Sequence, residues 1–499
     1  MSDMFLPRMD RKRALGTRAL VQALCGIAML GACTRPPANG ASPTGVDPEN
    51  HDAVNDGAAS DKFQDANAAG FTPDSVVQGK TGVAAPQSWI SDTLRAPRNI
   101  HLTWQGAAST TLTMQWATTA TDLANYTPRV WIAPKSVVDA AGGAMPYDAA
   151  YVATGTGKTY KETLGGVELS PVTHVVWTVE VAGLEPDTAY VYRVGSWQAF
   201  DADTYAFVAP DLSDATTTRT APVKGSRGKL RFVMAGDSRG GTDKIRANMS
   251  VFVDAAATVW FFNGDMNPVG RQIEWDDWFD AMGPLTTTAP LMPVQGNHEV
   301  FADIYYDQFA LPASPTLPDA LKEHAWSLDV GNVHFVGLDS NGEAVITAQV
   351  AWLEADLQAA RADPEVDWIV CMMHHAPYSA SNHGSDSRLQ AHFSPLWEKY
   401  KVDLVFSGHD HNYERSHPIA AGKVVGAGEG PVYVVAGAFF APPYGNGKKW
   451  WTATSVHGNK GNWVIVDVEG DALTLTAMSG DGAETLDVHA LSHPAKGQP

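Results

Sequence analysis

Leu230-Arg231-Phe232-Val233-Met234-Ala235-Gly236-Asp237-Ser238-Arg239 sets an apolar run directly against a glycine, an aspartate and two further polar residues. A run of this length reads as a buried strand. The polar end reads as the loop past its carboxyl terminus, where open α/β sheets hold ligands. The pattern recurs downstream. Val259 to Phe262 precedes Gly264-Asp265, Trp368 to Met373 precedes His374-His375-Ala376-Pro377-Tyr378, and Val402 to Phe406 precedes Gly408-His409-Asp410-His411. A fifth motif, Gly296-Asn297-His298-Glu299, lies between them. Gln349 to Arg361 places Val350, Leu353, Leu357 and Ala360 on one helical face. Strands alternating with helices predict an α/β catalytic domain over residues 223–490, with a tail at 491–499.

Upstream the period changes. Ile100, Leu102 and Trp104, then Leu112, Met114 and Trp116, then Val175, Trp177, Val179 and Val181 alternate as half-buried strands do. Several such runs between turn signals predict an all-β sandwich over residues 90–222. Leu184-Glu185-Pro186-Asp187-Thr188-Ala189-Tyr190-Val191-Tyr192-Arg193-Val194 resembles the late strands of fibronectin type III domains, with a candidate tyrosine corner. That resemblance implies a spacer, or a partner that forms a lid for the catalytic domain.

Residues 34–89 are rich in Ala, Gly, Asn, Asp and Pro without a sustained apolar period, as a flexible tether is. Before them, Arg11, Lys12, Arg13 and Arg18 precede an apolar stretch from Ala19 to Ala32, the order of an export signal over residues 1–33. Leu30-Gly31-Ala32-Cys33 resembles a bacterial lipobox, which implies an envelope lipoprotein anchored through lipid on Cys33. Ordinary cleavage after a small residue would instead give a secreted protein. Arg11-Lys12-Arg13 only loosely resembles a twin-arginine signal, so the export route stays open. With Cys25 and Cys33 in this segment, Cys371 alone remains in a folded region, and an intrachain disulfide framework is excluded.

The 499 residues are enough for two cores plus targeting sequence. Thirty-five basic against 55 acidic side chains give a formal charge of -20, which opposes an extended nucleic-acid or anionic-lipid surface. A small anionic substrate held by metals remains compatible with that charge.

The five motifs supply carboxylates, an amide and imidazoles, a donor mixture that suits Fe, Zn or Mn rather than a thiolate-seeking ion. Two such ions about 3.5 to 4 Å apart can clamp an in-line displacement at phosphorus and lower the pKa of a bound water to about 7. One carboxylate must bridge them, and the strand-end Asp265 in the middle of the series is the natural candidate. No Walker loop, dinucleotide fingerprint or nucleophile elbow competes.

The order and spacing resemble the calcineurin-like metallophosphoesterases, in particular the purple acid phosphatases. Trp275-Asp276-Asp277-Trp278-Phe279 leading to Gly296-Asn297-His298-Glu299, and Gly408 through Arg415, carry that resemblance. It implies a four-layer α/β sandwich with two divalent or trivalent metal ions. Asp237, Asp265 and His411 would hold one ion, and Asp265, Asn297, His374 and His409 the other. His298 matches the family's phosphate-contacting histidine. His383 takes a second-histidine position, against an equally weighted reading as an exposed loop residue. Counting back from Tyr378 selects His374 as the ligand, leaving His375 as a supporting or substrate-side residue.

Two positions depart from the family pattern. Arg239 stands where many metallophosphoesterases have histidine, and Pro268 where purple acid phosphatases have tyrosine. The first ion is then one protein ligand short, and a colourless centre is expected. Arg239 can reach phosphate as a guanidinium fork or serve a structural ion pair. Ala436-Gly437-Ala438 after a late strand either lines the pocket or permits close packing. The resulting expectation is an exported phosphatase acting on phosphate monoesters through a metal-bound hydroxide. Phosphodiester or nucleotide pyrophosphate hydrolysis is the alternative on the same core, and an inert metal-stapled surface binding protein the alternative of another class. Physiological substrate, metal pair and oligomeric state are not legible.

Overall fold

The computed structural model describes residues 96–118, 126–147, 150–164, 167–198, 212–299 and 304–493. The export signal, lipobox and tether fall outside the described residues.

The first domain pairs two four-stranded antiparallel sheets. One runs Arg98–Thr103, Thr111–Thr118, Val167–Ala182, Thr156–Leu164; the other runs Tyr151–Thr154, Tyr126–Pro134, Ala189–Gln198, Thr216–Arg219. Leu102, Met114, Trp116, Val130, Ile132, Trp177 and Tyr192 are all buried in a shared core. The Glu185 N–H donates to the Tyr190 hydroxyl at 2.8 Å, which gives the tyrosine corner its backbone anchor. Every residue of Thr111–Thr118 is buried, including the polar ones. Alternation predicted one wet face, but that face packs on the second domain instead. Gln115 Oε1 accepts the Ala310 N–H at 2.6 Å, Thr103 donates to the Ala310 carbonyl at 2.8 Å, and Tyr192 donates to the Thr287 carbonyl at 2.7 Å.

The second domain is built on two sheets. In one, Leu291–Pro293, Val259–Phe262 and Leu230–Ala235 run parallel, followed by the antiparallel strands Trp463–Glu469, Ala472–Met478 and Thr485–Ser492. In the other, Val333–Gly337, Trp368–Met372, Leu404–Ser407 and Val432–Ala436 are parallel, with antiparallel strands at the edges. Successive side chains choose opposite faces. Phe232 and Phe261 meet Phe335 of the other sheet at ring distances of 4.9 and 4.5 Å, while Trp260 and Phe262 face Phe252 and Trp278 on the outer helices Thr242–Asp254 and Gln272–Thr286. Helix Glu343–Ala362 covers the outer face of the second sheet through Leu353, Leu357 and Ala360. The layering is therefore helix, sheet, sheet, helix.

Among the boundaries that differ from the sequence reading, two have a clear physical cause. The helix starts at Glu343 rather than Gln349 because Val345 and Ile346 continue its buried face, and the buried Gln349 satisfies its amide on the Asp339 carbonyl at 2.7 Å. A polar residue on a buried face broke the apolar period. The last strand runs to Ser492, past the expected domain end at 490, because pairing with Ala472–Met478 continues as far as Ser492 opposite Ala472.

Candidate metal centre

Both parallel sets point their carboxyl ends at one place, and each motif leaves its strand there. The turns are tight. Asp237, Asp265 and His409 adopt left-handed φ values of 62°, 55° and 67°, a conformation that costs about 1–3 kcal/mol for a residue with a side chain and clusters at functional sites. The neighbouring glycines permit the close approach. A Cβ on Gly296 would fall 2.2 Å from Asp265 Oδ1, and one on Gly408 would fall 2.2 Å from Asp237 Oδ2. Gly437 likewise faces the Asp410 carbonyl at 2.4 Å from a would-be Cβ, which is close packing.

Two donor groups result, one formed by Asp237, Asp265 and His411 and the other by Asp265, His374 and His409, with donor atoms within 4.8 Å of one another in each. Asp265 belongs to both. His374 shows what the arrangement requires. Its Nδ1 bonds the Asn263 carbonyl at 2.8 Å, so its proton sits there. Its Nε2 then faces Asn297 Oδ1 at 2.8 Å, Asp265 Oδ1 at 3.3 Å and His409 Nδ1 at 3.2 Å. These are all electron-pair donors, and such convergence is attractive only around a cation. Burial alone would lower the His374 pKa, but Asp265 and Asp237 raise it to about 9, another expression of the same demand for positive charge. His411 repeats the pattern with Nδ1 on the Pro442 carbonyl and Nε2 at 3.3 Å from Asp237 Oδ1. The residues present thus fit a pair of metal ions, with Asn297 adding an oxygen to the second group.

Burial opposes charge on Asp265, yet His374, His298 and Arg239 hold its carboxyl below the usual carboxylate range. His409 is pushed far below the ordinary histidine value by burial and by its imidazole neighbours, which keeps a lone pair for coordination. Its backbone N–H donates to both Asp237 oxygens at 3.0 and 2.9 Å and so fixes that carboxylate.

The remaining candidates surround this pair. His298 donates its backbone N–H to Asp265 Oδ1 at 3.0 Å, bonds the Pro268 carbonyl through Nδ1, and turns Nε2 toward Arg239 and Asp265. Pro268 therefore supplies a carbonyl that orients His298, at the position where a tyrosine was sought. The His383 ring stacks on His409 with centroids 4.1 Å apart. His375 is buried, with Nδ1 on the Ser340 hydroxyl at 2.8 Å and its pKa lowered to about 3 by burial and by His374. Arg239 approaches His298, His411 and Asp265 together.

Three contributors carried no role in the sequence reading. Glu299 is fully buried and accepts the backbone N–H groups of Asp265 at 2.8 Å, Asn267 at 3.1 Å and Gly296 at 2.9 Å, tying two ligand loops together. Burial, then Asp265, raises its pKa to about 7. Asp410 accepts the His383 N–H at 2.8 Å and the Ser379 hydroxyl, which positions the His383 loop. Tyr444 lies flat on His411, with centroids 4.0 Å apart and a 9° interplanar angle. Glu299 had a signal, being part of a ligand motif. Tyr444 had none, because it reaches the site from a loop more than thirty residues past the last motif.

Comparison with known proteins agrees with this layout. Residues 230–413 match the calcineurin-like phosphoesterase family, and residues 97–209 match the purple acid phosphatase N-terminal domain. An uncharacterized protein of Mycobacterium tuberculosis is 30% identical over 361 residues, covering 64% of this chain and 62% of that protein. Purple acid phosphatase 23 of Arabidopsis thaliana is 28% identical over 300 residues, covering 53% of this chain and 62% of that protein. The chain thus spans about three fifths of the length of these relatives. The structure of purple acid phosphatase PPD1 from yellow lupin superposes with a TM-score of 0.64 over 80% of this chain and 74% of that one, at 20% identity, a likeness of fold. The chain therefore carries a calcineurin-like phosphoesterase domain behind a purple acid phosphatase N-terminal domain.

Proposed function

We propose that the protein is an exported phosphatase that hydrolyses small phosphate monoesters at a dinuclear metal centre. The observation that carries this reading is the convergence of two donor groups on the shared Asp265, with His298 anchored beside them. In the proposed assignment Asp237, Asp265 and His411 hold one ion, and Asp265, Asn297, His374 and His409 the other. Two ions bound there would acidify a coordinated water and withdraw charge from phosphoryl oxygens.

The chain's own residues do the rest. His298 has Nδ1–H committed to the Pro268 carbonyl, so a proton gained on acidification goes to Nε2, the nitrogen that faces the site, once Arg239 Nη1 releases it. That proton is placed to pass to a leaving oxygen. His383, stacked on His409, is the second candidate for this role and for contact with phosphate. Glu299 keeps the Asp265 and Asn297 loops in register.

The test is metal analysis of active protein combined with kinetics on an aryl phosphate monoester and the matching diester. Monoester turnover with close to two ions per chain is expected; predominant diester turnover points to the phosphodiesterase alternative. Metal-replete protein that cleaves neither ester overturns the enzymatic reading.

Export, the lipid anchor at Cys33 and the fibronectin type III likeness belong to the same proposal. They are supported by the Arg-rich apolar leader, by Leu30-Gly31-Ala32-Cys33 and by the tyrosine corner at Tyr190. A Cys33→Ala variant that still partitions with membranes would count against the anchor.

A further inference from the structure

We propose that Arg239, steadied by the Tyr444 hydroxyl, is the residue that makes the site prefer a phosphate monoester over a diester; this rests on the monoesterase reading above.

The Arg239 backbone is rigidly seated. Its neighbour Ser238 is buried, donates to the Met266 carbonyl at 2.9 Å and accepts the Trp278 indole N–H at 3.0 Å. The Arg239 N–H itself reaches the Asp265 carbonyl at 3.3 Å. From there the side chain, 18% exposed, enters the site. Nη1 donates to His298 Nε2, and Nη2 reaches His411 Nε2 at 3.1 Å and the Tyr444 hydroxyl at 3.4 Å. Nε is buried without a hydrogen-bond partner, 3.8 Å from the nearer Asp265 oxygen.

Two features make this guanidinium a ligand for substrate rather than a closed ion pair. His411 Nε2 has one lone pair, which can serve Arg239 or a metal ion but not both. When an ion takes it, Nη2 and the unpartnered Nε remain as donors facing the site. The Tyr444 hydroxyl then keeps hold of Nη2. That phenol is itself fixed, because its ring lies parallel on His411 and its backbone N–H donates to the His411 carbonyl at 2.9 Å.

A monoester dianion offers three non-bridging oxygens, a diester monoanion only two. Three oxygens leave one for a guanidinium fork after the metal groups have been served, and the extra negative charge strengthens that contact. A diester presents an alkoxy carbon there instead. The buried Nε of Arg239, and the Nη2 hydrogen released from His411, are then left unpaired, the situation in which a polar site rejects an analogue most strongly.

The experiment compares wild type, Arg239→Gln, Arg239→Lys and Tyr444→Phe on an aryl phosphate and its methyl ester. Binding of inorganic phosphate and of dimethyl phosphate is measured by calorimetry on the same samples, with metal content determined for each. Arg239→Gln should lower monoester kcat/KM by roughly 100-fold and inorganic phosphate affinity by roughly 10-fold or more, as expected for loss of a desolvated charged contact. Diester kcat/KM should fall much less, collapsing the preference. Arg239→Lys should recover the charge but only part of the preference, since it lacks the fork. Tyr444→Phe should reduce the preference by roughly 3- to 10-fold, the size of one hydrogen bond. A preference that survives Arg239→Gln and Arg239→Lys overturns the proposal, as does an equal fall for both esters or a loss explained by lost metal. Wild type that favours diesters would instead remove the monoesterase reading beneath it, a distinguishable failure.

Discussion

Two clusters in the second domain are made of the same residue types and differ in what they lack. Around Asp265, three imidazoles and two carboxylates converge with lone pairs facing one another, at 2.8 Å between His374 Nε2 and Asn297 Oδ1 and 3.2 Å between His374 and His409. At the other cluster a single imidazole, His334, lies between Asp329 at 2.7 Å and Asp356 at 2.9 Å. Lys224 joins Asp329 to Asp363 at 2.7 Å each, and the Ser327 hydroxyl donates to Asp356. Donors and acceptors there are matched, and nothing is left to bind. The first cluster has more acceptors than donors and wants a cation; the second supplies its own. A candidate metal site is thus recognised by unmet lone pairs, not by the presence of histidine and aspartate.

The largest effect should come from removing the shared carboxylate. Asp265→Asn should cost at least about a thousandfold in phosphatase turnover, since it weakens both donor groups and the charge around the reaction. A variant that keeps a tenth of the activity, with metal content intact, would dismiss Asp265 as the shared ligand.

Chelation should separate the two clusters energetically. Stripping ions from the Asp265 cluster removes the stabilisation of a ligand held at about 100 times its Kd, roughly 3 kcal/mol, or about 5–10 °C in Tm. The His334 network should be indifferent, so wild type and His334→Gln should lose the same increment on chelation. Unequal increments would couple what the structure keeps apart.

The His334 network should announce itself through pH. Burial alone would lower the His334 pKa, but Asp329 and Asp356 raise it to about 9. A folded-state pKa above the unfolded value of about 6.5 means that the contribution is fully present below pH 6.5 and is lost as pH rises through about 9. Its size is on the order of 3 kcal/mol at most. Urea unfolding at pH 6 and pH 9.5 should show this loss in wild type and not in His334→Gln; parallel pH profiles for the two proteins would contradict it.

The smallest expected signal is spectroscopic. Pro268 stands where a tyrosine ligand was sought, and the Tyr444 hydroxyl is turned to Arg239 while its ring lies flat on His411. Iron-loaded protein should therefore show no strong visible tyrosinate charge-transfer band. A purple sample would mean that Tyr444 or another phenol swings onto the metal.

Much of the candidate site was legible because each candidate donor sits a short distance past an apolar run. A buried strand followed by a polar tight turn is a local pattern, and Asp237, Asp265, His374, His409 and His411 all obey it. Glu299 was visible only as a letter in a motif. That its carboxylate would collect three backbone N–H groups depends on the path of the Asp265 loop, which no spacing encodes. The expected wet face of Thr111–Thr118 failed for a related reason, since alternation shows two faces but not what the second one meets.

The two-domain order, the strands that deliver the motifs and the chemical types of the donors could be read along the chain, because these follow from local periodicity and from what a strand can bury. Which lone pairs face each other, that His375 turns away to Ser340, and that Tyr444 comes back to cover His411 and meet Arg239 were set by the fold in space. Those outcomes depend on how two sheets and their loops close in space, and side-chain direction at a converging site is fixed by packing over long sequence separations.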